Sequence, residues 1–152
     1  MNVQTEAISR WCREATERRL FEAHWREFCR DTDKLALDPD FEKYFAMEKM
    51  GALASFTVRD DDAQLAGFAT FLCTTHPHYR SHSMACSDLV YLRPAYRGRG
   101  WGSQLLQFAF RELAGRGVSM IHVLAAKDSR LEILLEGAGF RHVENAWEKL
   151  LI

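Results

Sequence analysis

Asp88-Leu89-Val90-Tyr91-Leu92-Arg93-Pro94-Ala95-Tyr96-Arg97-Gly98-Arg99-Gly100-Trp101-Gly102-Ser103 is the stretch on which the reading of this sequence turns. An apolar run rich in strand-forming side chains stops at Pro94, which cannot donate to a ladder. Three glycines follow at alternate positions, and then Leu105, Leu106, Ala109, Phe110 and Leu113 recur at helical spacing. The order is strand, glycine-rich turn, helix. At such a junction the first N–H groups of the helix have no intrahelical acceptor, and the helix dipole adds potential that favours an anion. Glycines let a phosphate approach the backbone, and the guanidinium groups of Arg97 and Arg99 stand ready for charge-assisted bonds. No Gly-Lys-Ser/Thr closes the run, which excludes an NTPase-type phosphate loop. A dinucleotide fold is disfavoured because the turn lies past the middle of the chain, without an opening strand-helix-strand unit.

Upstream of the decisive stretch, residues 75–83 predict a polar loop carrying His76, His78, Tyr79, Arg80 and His82. Residues 52–58 and 65–74 read as strands joined by a turn at Asp60-Asp61-Asp62. That triplet lacks the alternating oxygen ligands of a calcium loop. Nearer the N-terminus, residues 3–8 read as a short edge strand. Ser9 is then the expected cap of one charged helix reaching to about Cys29, with Phe21, Trp25 and Phe28 on its packing face and His24 beside them. Asp38-Pro39 starts a second helix, with Phe41, Tyr44 and Phe45 at helical spacing, which ends at Gly51. These two helices are expected to form one wall of a cleft. Downstream, residues 118–125 read as a strand, 129–137 as a short helix, and 140–143 with 147–152 as a closing strand pair. The pattern predicts a mixed α/β fold, with residues 1–152 forming one domain.

Composition agrees with one core: 152 residues at 47% hydrophobic content suffice for a single sheet with its helices. A formal charge of −1, from 20 basic against 21 acidic residues, gives no overall field for nucleic acid or an anionic membrane, so neither partner is favoured. Cys12, Cys29, Cys73 and Cys86 form no CxxC pair and read as reduced thiols. No apolar run reaches the roughly 18 residues of a membrane span, and no basic segment precedes a hydrophobic signal region. A cytoplasmic protein is expected. His76, His78 and His82 lack an acidic or cysteine partner nearby, so no metal is expected.

The run from Val90 to Ser103 resembles the signature of the GNAT superfamily of N-acetyltransferases. Its Arg/Gln-x-x-Gly-x-Gly/Ala motif stands here as Arg97-Gly98-Arg99-Gly100-Trp101-Gly102. A coarser resemblance covers residues 52–152, including Leu135-Glu136-Gly137-Ala138-Gly139-Phe140. The residues from Leu37 to Tyr44, His78-Tyr79, and Asp88 to Tyr96 are also similar to a branch often encoded by bacteriophages. The resemblance implies a GNAT-like mixed, strongly curved sheet with splayed central strands, flanked by helices, and acetyl-CoA as co-substrate. It implies that pantetheine pairs with backbone near Val90, Tyr91 and Leu92. The pyrophosphate would receive N–H groups from Gly98 through Ser103, while Lys127 and Ser129 approach the other side of CoA. Trp101 either covers the cofactor or packs into the sheet. Homodimers are frequent in the family, so a homodimer is a possible assembly.

An amine attacking a thioester needs alignment, loss of a proton and stabilisation of the oxyanion. The resemblance implies a backbone N–H near Leu92 for the oxyanion. It also places the family's frequent general-acid tyrosine at Leu135, which cannot protonate a thiolate. For the base the candidates are His78, Asp88 and His122, with Glu48 behind them. Histidine titrates near neutrality, whereas a carboxylate needs help from its surroundings or a water. Each has an ordinary alternative: His78 an exposed loop residue, Asp88 a carboxylate bonded to something buried, His122 a residue of the sheet face. Asp33, Asp38, Asp40 and Asp88 would favour a cationic amine if they lined the cleft. The expected activity is acetyl transfer from acetyl-CoA to an amine on a small molecule, peptide or protein. The alternative, supported by Leu135, is a non-catalytic acyl-CoA-binding or protein-interaction module on the same fold.

Overall fold

A strand with one face in water alternates polar and apolar side chains, but in Leu53–Arg59 six of the seven residues are buried. Such a strand needs helices on both of its faces. The computed structural model describes residues 1–13, 15–29 and 34–151, with Thr16 described by its backbone alone, and shows how that cover is arranged. The elements run β1 (Asn2–Thr5), α1 (Ile8–Trp11), α2 (Ala15–Phe28), α3 (Phe41–Lys49), β2 (Leu53–Arg59), β3 (Leu65–His76), β4 (Tyr79–Leu92), α4 (Trp101–Gly115), β5 (Val118–His122) and α5 (Arg130–Gly137). The strands lie in chain order in one mixed, curved sheet. All neighbours are antiparallel except β4 and β5, which are parallel and joined through the crossover helix α4.

The two faces of the sheet carry separate cores. On one, Ala54, Phe56, Val58, Ala69 and Phe71 pack with Leu105, Ala109 and Leu113 of α4. On the other, Leu53, Leu65, Phe68 and Tyr91 meet Ile8, Trp11 and Phe21 of α1 and α2, with Phe41, Tyr44 and Phe45 of α3 against them. Burial of each large side chain contributes about 1.5–3 kcal/mol. Polar groups trapped on the second face are bonded: Trp11 Nε1 donates to Ser55 Oγ at 2.8 Å.

Parallel pairing of β4 with β5 covers only Ser83 to Cys86, opposite Val118 to His122. Beyond it the strands part, and Ser87 Oγ accepts the Leu124 N–H at 2.9 Å just past the fork. These are the splayed central strands, and β4 from Asp88 to Leu92 has one edge unpaired.

Several expectations are corrected. The single helix from Ser9 is two, α1 and α2, broken where Arg18 Nε takes the carbonyl of Cys12 at 2.9 Å. Ser9 lies inside α1 rather than capping it, and the Glu48 carboxylate accepts the N–H groups of Ile8 (2.6 Å) and Ser9 (3.3 Å) instead. The loop at 75–83 is a tight hairpin, with His76 paired to Tyr79 and only Pro77 and His78 between the strands. Its polar residues reflect a ribbon that runs out into solvent. The closing strand pair is not formed among the described residues, where Val143, Trp147 and Leu151 are exposed. No helix among the described residues is long and apolar enough to cross a membrane.

Candidate active site

The site is built around the fork. Thr70 pairs with Leu89 and Phe71 with Ser87, so Asp88 is an extra residue in β4, a β-bulge. Two residues of the bulged strand then oppose one, and Asp88 and Leu89 both turn toward the α3 side. There Asp88 Oδ2 accepts from Tyr44 Oη at 2.9 Å and from Thr70 Oγ1 at 3.2 Å. Thr70 Oγ1 in turn accepts the Leu89 N–H at 3.1 Å. The only bonds to Asp88 shown among the described residues fall on Oδ2.

Past the bulge the N–H groups of Leu89 and Arg93 point to β3, the latter meeting Ala66 O at 2.9 Å. Backbone direction alternates along an antiparallel strand, so Val90 and Leu92 turn their groups to the open edge, where Leu92 O is met by Arg97 Nε.

At the far end of that edge the chain enters α4. Gly100, its cap residue, has φ of 81° and offers no side chain, so the N–H groups of Trp101, Gly102 and Ser103 are left without capping partners. Gly102 is needed for closeness: a Cβ there would lie 3.3 Å from Leu134 and 3.9 Å from Leu92. A bare backbone cradle with free donors at a helix start fits a pyrophosphate, and the open edge above it fits an amide-bearing arm. Trp101 is partly buried and packs against the core on the α4 face.

Arg97 is turned away from this cradle. Its Nη atoms bond both oxygens of Glu27 at 2.6 and 2.7 Å, its Nε donates to Leu92 O at 2.7 Å, and its guanidinium lies 5.5 Å from the Tyr91 ring. The Glu27 bond, above all, raises its pKa further. Arg97 thus ties the strand end and the turn to α2. Arg99 is exposed. Lys127 is exposed as well, and Ser129 caps α5 by accepting the Glu132 N–H at 3.3 Å.

The base candidates are dispersed differently. His122 pairs with Cys86 at the fork, on the Asp88 side of the sheet. His78 sits at the hairpin tip, its N–H donating to His76 Nδ1 at 3.1 Å. Six residues of ribbon, measured on β3 from Thr70 to His76, separate the hairpin from Asp88, about 20 Å at about 3.3 Å per residue. Glu48 is occupied at the start of α1, as described. Asp40 caps α3 through the Lys43 N–H at 2.9 Å, and Asp38 is exposed. Asp33 lies outside the described residues.

Two groups without a signal of their own in the sequence join the cluster. Periodicity places Tyr44 only on a helical apolar face. His24 stacks edge-on to Tyr91 at 6.0 Å and lies against Phe28 at 5.1 Å. Burial holds its imidazole below its ordinary pKa, with the Asp88 and Glu27 carboxylates pulling the other way. No local sequence pattern marks either residue, because the contacts join positions far apart in the chain. A separate concavity at the β1 edge is lined by Glu6, Arg10, Arg59 and Asp60. Burial there acts to raise the Glu6 carboxyl, but bonds from Arg59, Thr57 and Gln4 hold it below the usual range. Glu6 is paired there with Arg59 at 2.9 Å and so is already committed, which favours the fork as the site.

A family model for the acetyltransferase (GNAT) domain matches residues 52–142. The chain belongs to the GNAT acetyltransferase family. Solved structures share the GNAT fold over nearly their whole length. An aminoglycoside acetyltransferase from an uncultured soil metagenomic sample is 14% identical, with a TM-score of 0.74, over 99% of this chain and 97% of that one. Glucosamine-6-phosphate N-acetyltransferase from Arabidopsis thaliana is 10% identical, with a TM-score of 0.73, over 99% and 98%. Ribosomal-protein-alanine N-acetyltransferase from Brucella melitensis biovar Abortus is 16% identical, with a TM-score of 0.66, over 100% and 99%. No curated protein matches the sequence. At these identities the GNAT likeness shows the fold, and the three named acceptors differ from one another.

Proposed function

We propose that the chain transfers the acetyl group of acetyl-CoA to a primary amine, with Asp88 as the base. The observation that carries this reading is the bulge, which sets a carboxylate bonded through one oxygen beside the free edge of β4. Asp88 stands two residues from Val90, about 7 Å along the strand. When bound, acetyl-CoA supplies the activated acyl carbon. Val90 and Leu92 pair with its arm, and an N–H of that edge receives the developing oxyanion. Gly98, Arg99, Gly100, Trp101, Gly102 and Ser103 offer backbone donors to the pyrophosphate, Arg97 holds the turn against α2, and Lys127 and Ser129 flank the other side. Asp88 draws in the ammonium form and removes its proton. His122, at the same fork, is the next candidate, and His78 follows it.

The acceptor is an amine-bearing small molecule, peptide or protein, and a homodimer and a cytoplasmic location complete the reading. The similarity to a bacteriophage-encoded branch rests on the sequence alone. A second reading is favoured by Leu135, only 8% exposed and apolar: a non-catalytic acyl-CoA-binding or protein-interaction module. Calorimetric titration with acetyl-CoA, followed by thiol release with a panel of amines and peptides, separates them. Binding with amine-dependent release supports transfer, binding without release across the panel favours the module, and absence of binding overturns both.

A further inference from the structure

The transfer reading, on which this inference rests, leaves a proton route to be found. An alkylamine arrives as an ammonium and departs as an amide, so it sheds two protons; the leaving sulfur takes one and solvent the other. Asp88 can hold one of these and must be emptied before the next turnover. Two hydroxyl groups touch its Oδ2. Thr70 is wholly buried and its Oγ1 is fixed by the Leu89 N–H. Tyr44 is half-buried and reaches Asp88 from α3. Leu135, on α5, offers no proton.

We propose that Tyr44 carries the proton from Asp88 to the departing sulfur and is a second catalytic residue. Asp88 Oδ1 first accepts a proton from the ammonium. The nitrogen lone pair then forms the C–N bond, and the carbonyl π pair moves to oxygen, where a β4 N–H holds it. As that pair returns, the C–S bond breaks and its electrons stay on sulfur. Tyr44 gives its Oη proton to the sulfur; rotation of the Asp88 carboxyl about Cβ–Cγ exchanges its two oxygens, and Tyr44 takes the Asp88 proton across the 2.9 Å contact, which restores both side chains. The remaining nitrogen proton leaves to water. A carboxylic acid is a stronger acid than a thiol, so the relay runs downhill. Burial first, and then the Asp88 carboxylate, push the Tyr44 hydroxyl well above the usual tyrosine range, so it stays protonated between turnovers.

The test uses Tyr44→Phe, which keeps the ring and removes the hydroxyl. Wild type, Tyr44→Phe and Asp88→Asn are assayed with n-butylamine, spermidine and an alanyl dipeptide. The donors are acetyl-CoA and the S-acetyl ester of 5-thio-2-nitrobenzoate, an aromatic thiolate that departs without a proton. Tyr44→Phe should bind CoA as wild type does, lose about 10²-fold in turnover with acetyl-CoA, and lose little with the aromatic ester. A readout independent of turnover is the thiolate absorbance of enzyme-bound CoA at one mildly alkaline pH. It should fall in Tyr44→Phe, because the hydroxyl that stabilises the thiolate is gone. Equal losses on both donors, or an unchanged absorbance, overturn the role of Tyr44; a silent Asp88→Asn beside them leaves acetyl transfer standing. A wild-type protein that neither binds acetyl-CoA nor releases thiol overturns both.

Discussion

The turn from Arg97 to Ser103 and the cluster around Asp88 stand at opposite ends of one unpaired strand edge, yet they are made from different parts of the chain. The turn is contiguous and presents mainly backbone, with Gly100 and Gly102 keeping side chains out of the way. The cluster draws single side chains from α2, α3, β3 and β4: His24, Tyr44, Thr70 and Asp88. A backbone site constrains a short word of sequence and binds what all relatives share. A side-chain site constrains scattered positions that a family can change one at a time, as acceptors change.

If that division holds, changes at the two ends should separate binding from chemistry. The largest effect is expected for Asp88→Asn, which should lower kcat by about 10²–10⁴-fold and leave CoA affinity by calorimetry as it was. An equal fall in affinity would merge the two regions into one. Gly100→Val should do the reverse. At φ of 81° a β-branched residue is strained by about 1–3 kcal/mol, so a variant that folds should bind CoA about ten-fold or more weakly. Glu27→Gln tests the tie between the regions. The partly exposed pair contributes about 1 kcal/mol or less, so CoA affinity should fall two- to five-fold, with a larger share of the loss at low salt.

The smallest effect concerns stability. The folded protein holds the His24 pKa below its ordinary value, so the unfolded chain binds the extra proton more readily. Stability should therefore rise with pH up to about 6.5 and be lost as pH falls below it. His24→Leu should flatten that slope, as urea midpoints between about pH 5 and 7 would show. An unchanged slope would place His24 outside the buried cluster.

The same division explains what the sequence disclosed. The strand, turn and helix around Arg97 are legible because each is dictated by local residues: Pro94 ends the strand, glycines open the turn, and leucines recur along α4. The apolar runs of β2 and β3 carry the sheet. The break between α1 and α2 is hidden because no glycine or proline marks it, and the Arg18 bond to the Cys12 carbonyl is a contact that periodicity does not disclose. The hairpin at Pro77-His78 reads as a loop because a ribbon bathed in solvent on both faces has the composition of one. Asp88 stands out as a charge in an apolar run, but strict alternation would set it and Leu89 on opposite faces. Only the pairing with β3 reveals that they share one. Arg97 illustrates the converse limit: its place in the motif is visible, whereas its partner Glu27 lies on a helix remote in sequence.

The bulge also makes Asp88 removable from β4. Ser87 and Leu89 already face consecutive residues of β3, Phe71 and Thr70, so excising Asp88 would close the ladder without shifting the register of either half. The carboxylate is thus a supernumerary unit, inserted between Ser87 and Leu89, which are in phase with Phe71 and Thr70 of β3. Through that arrangement the strand that leads into the glycine turn also carries the carboxylate, while the sheet's own pairing does not depend on it.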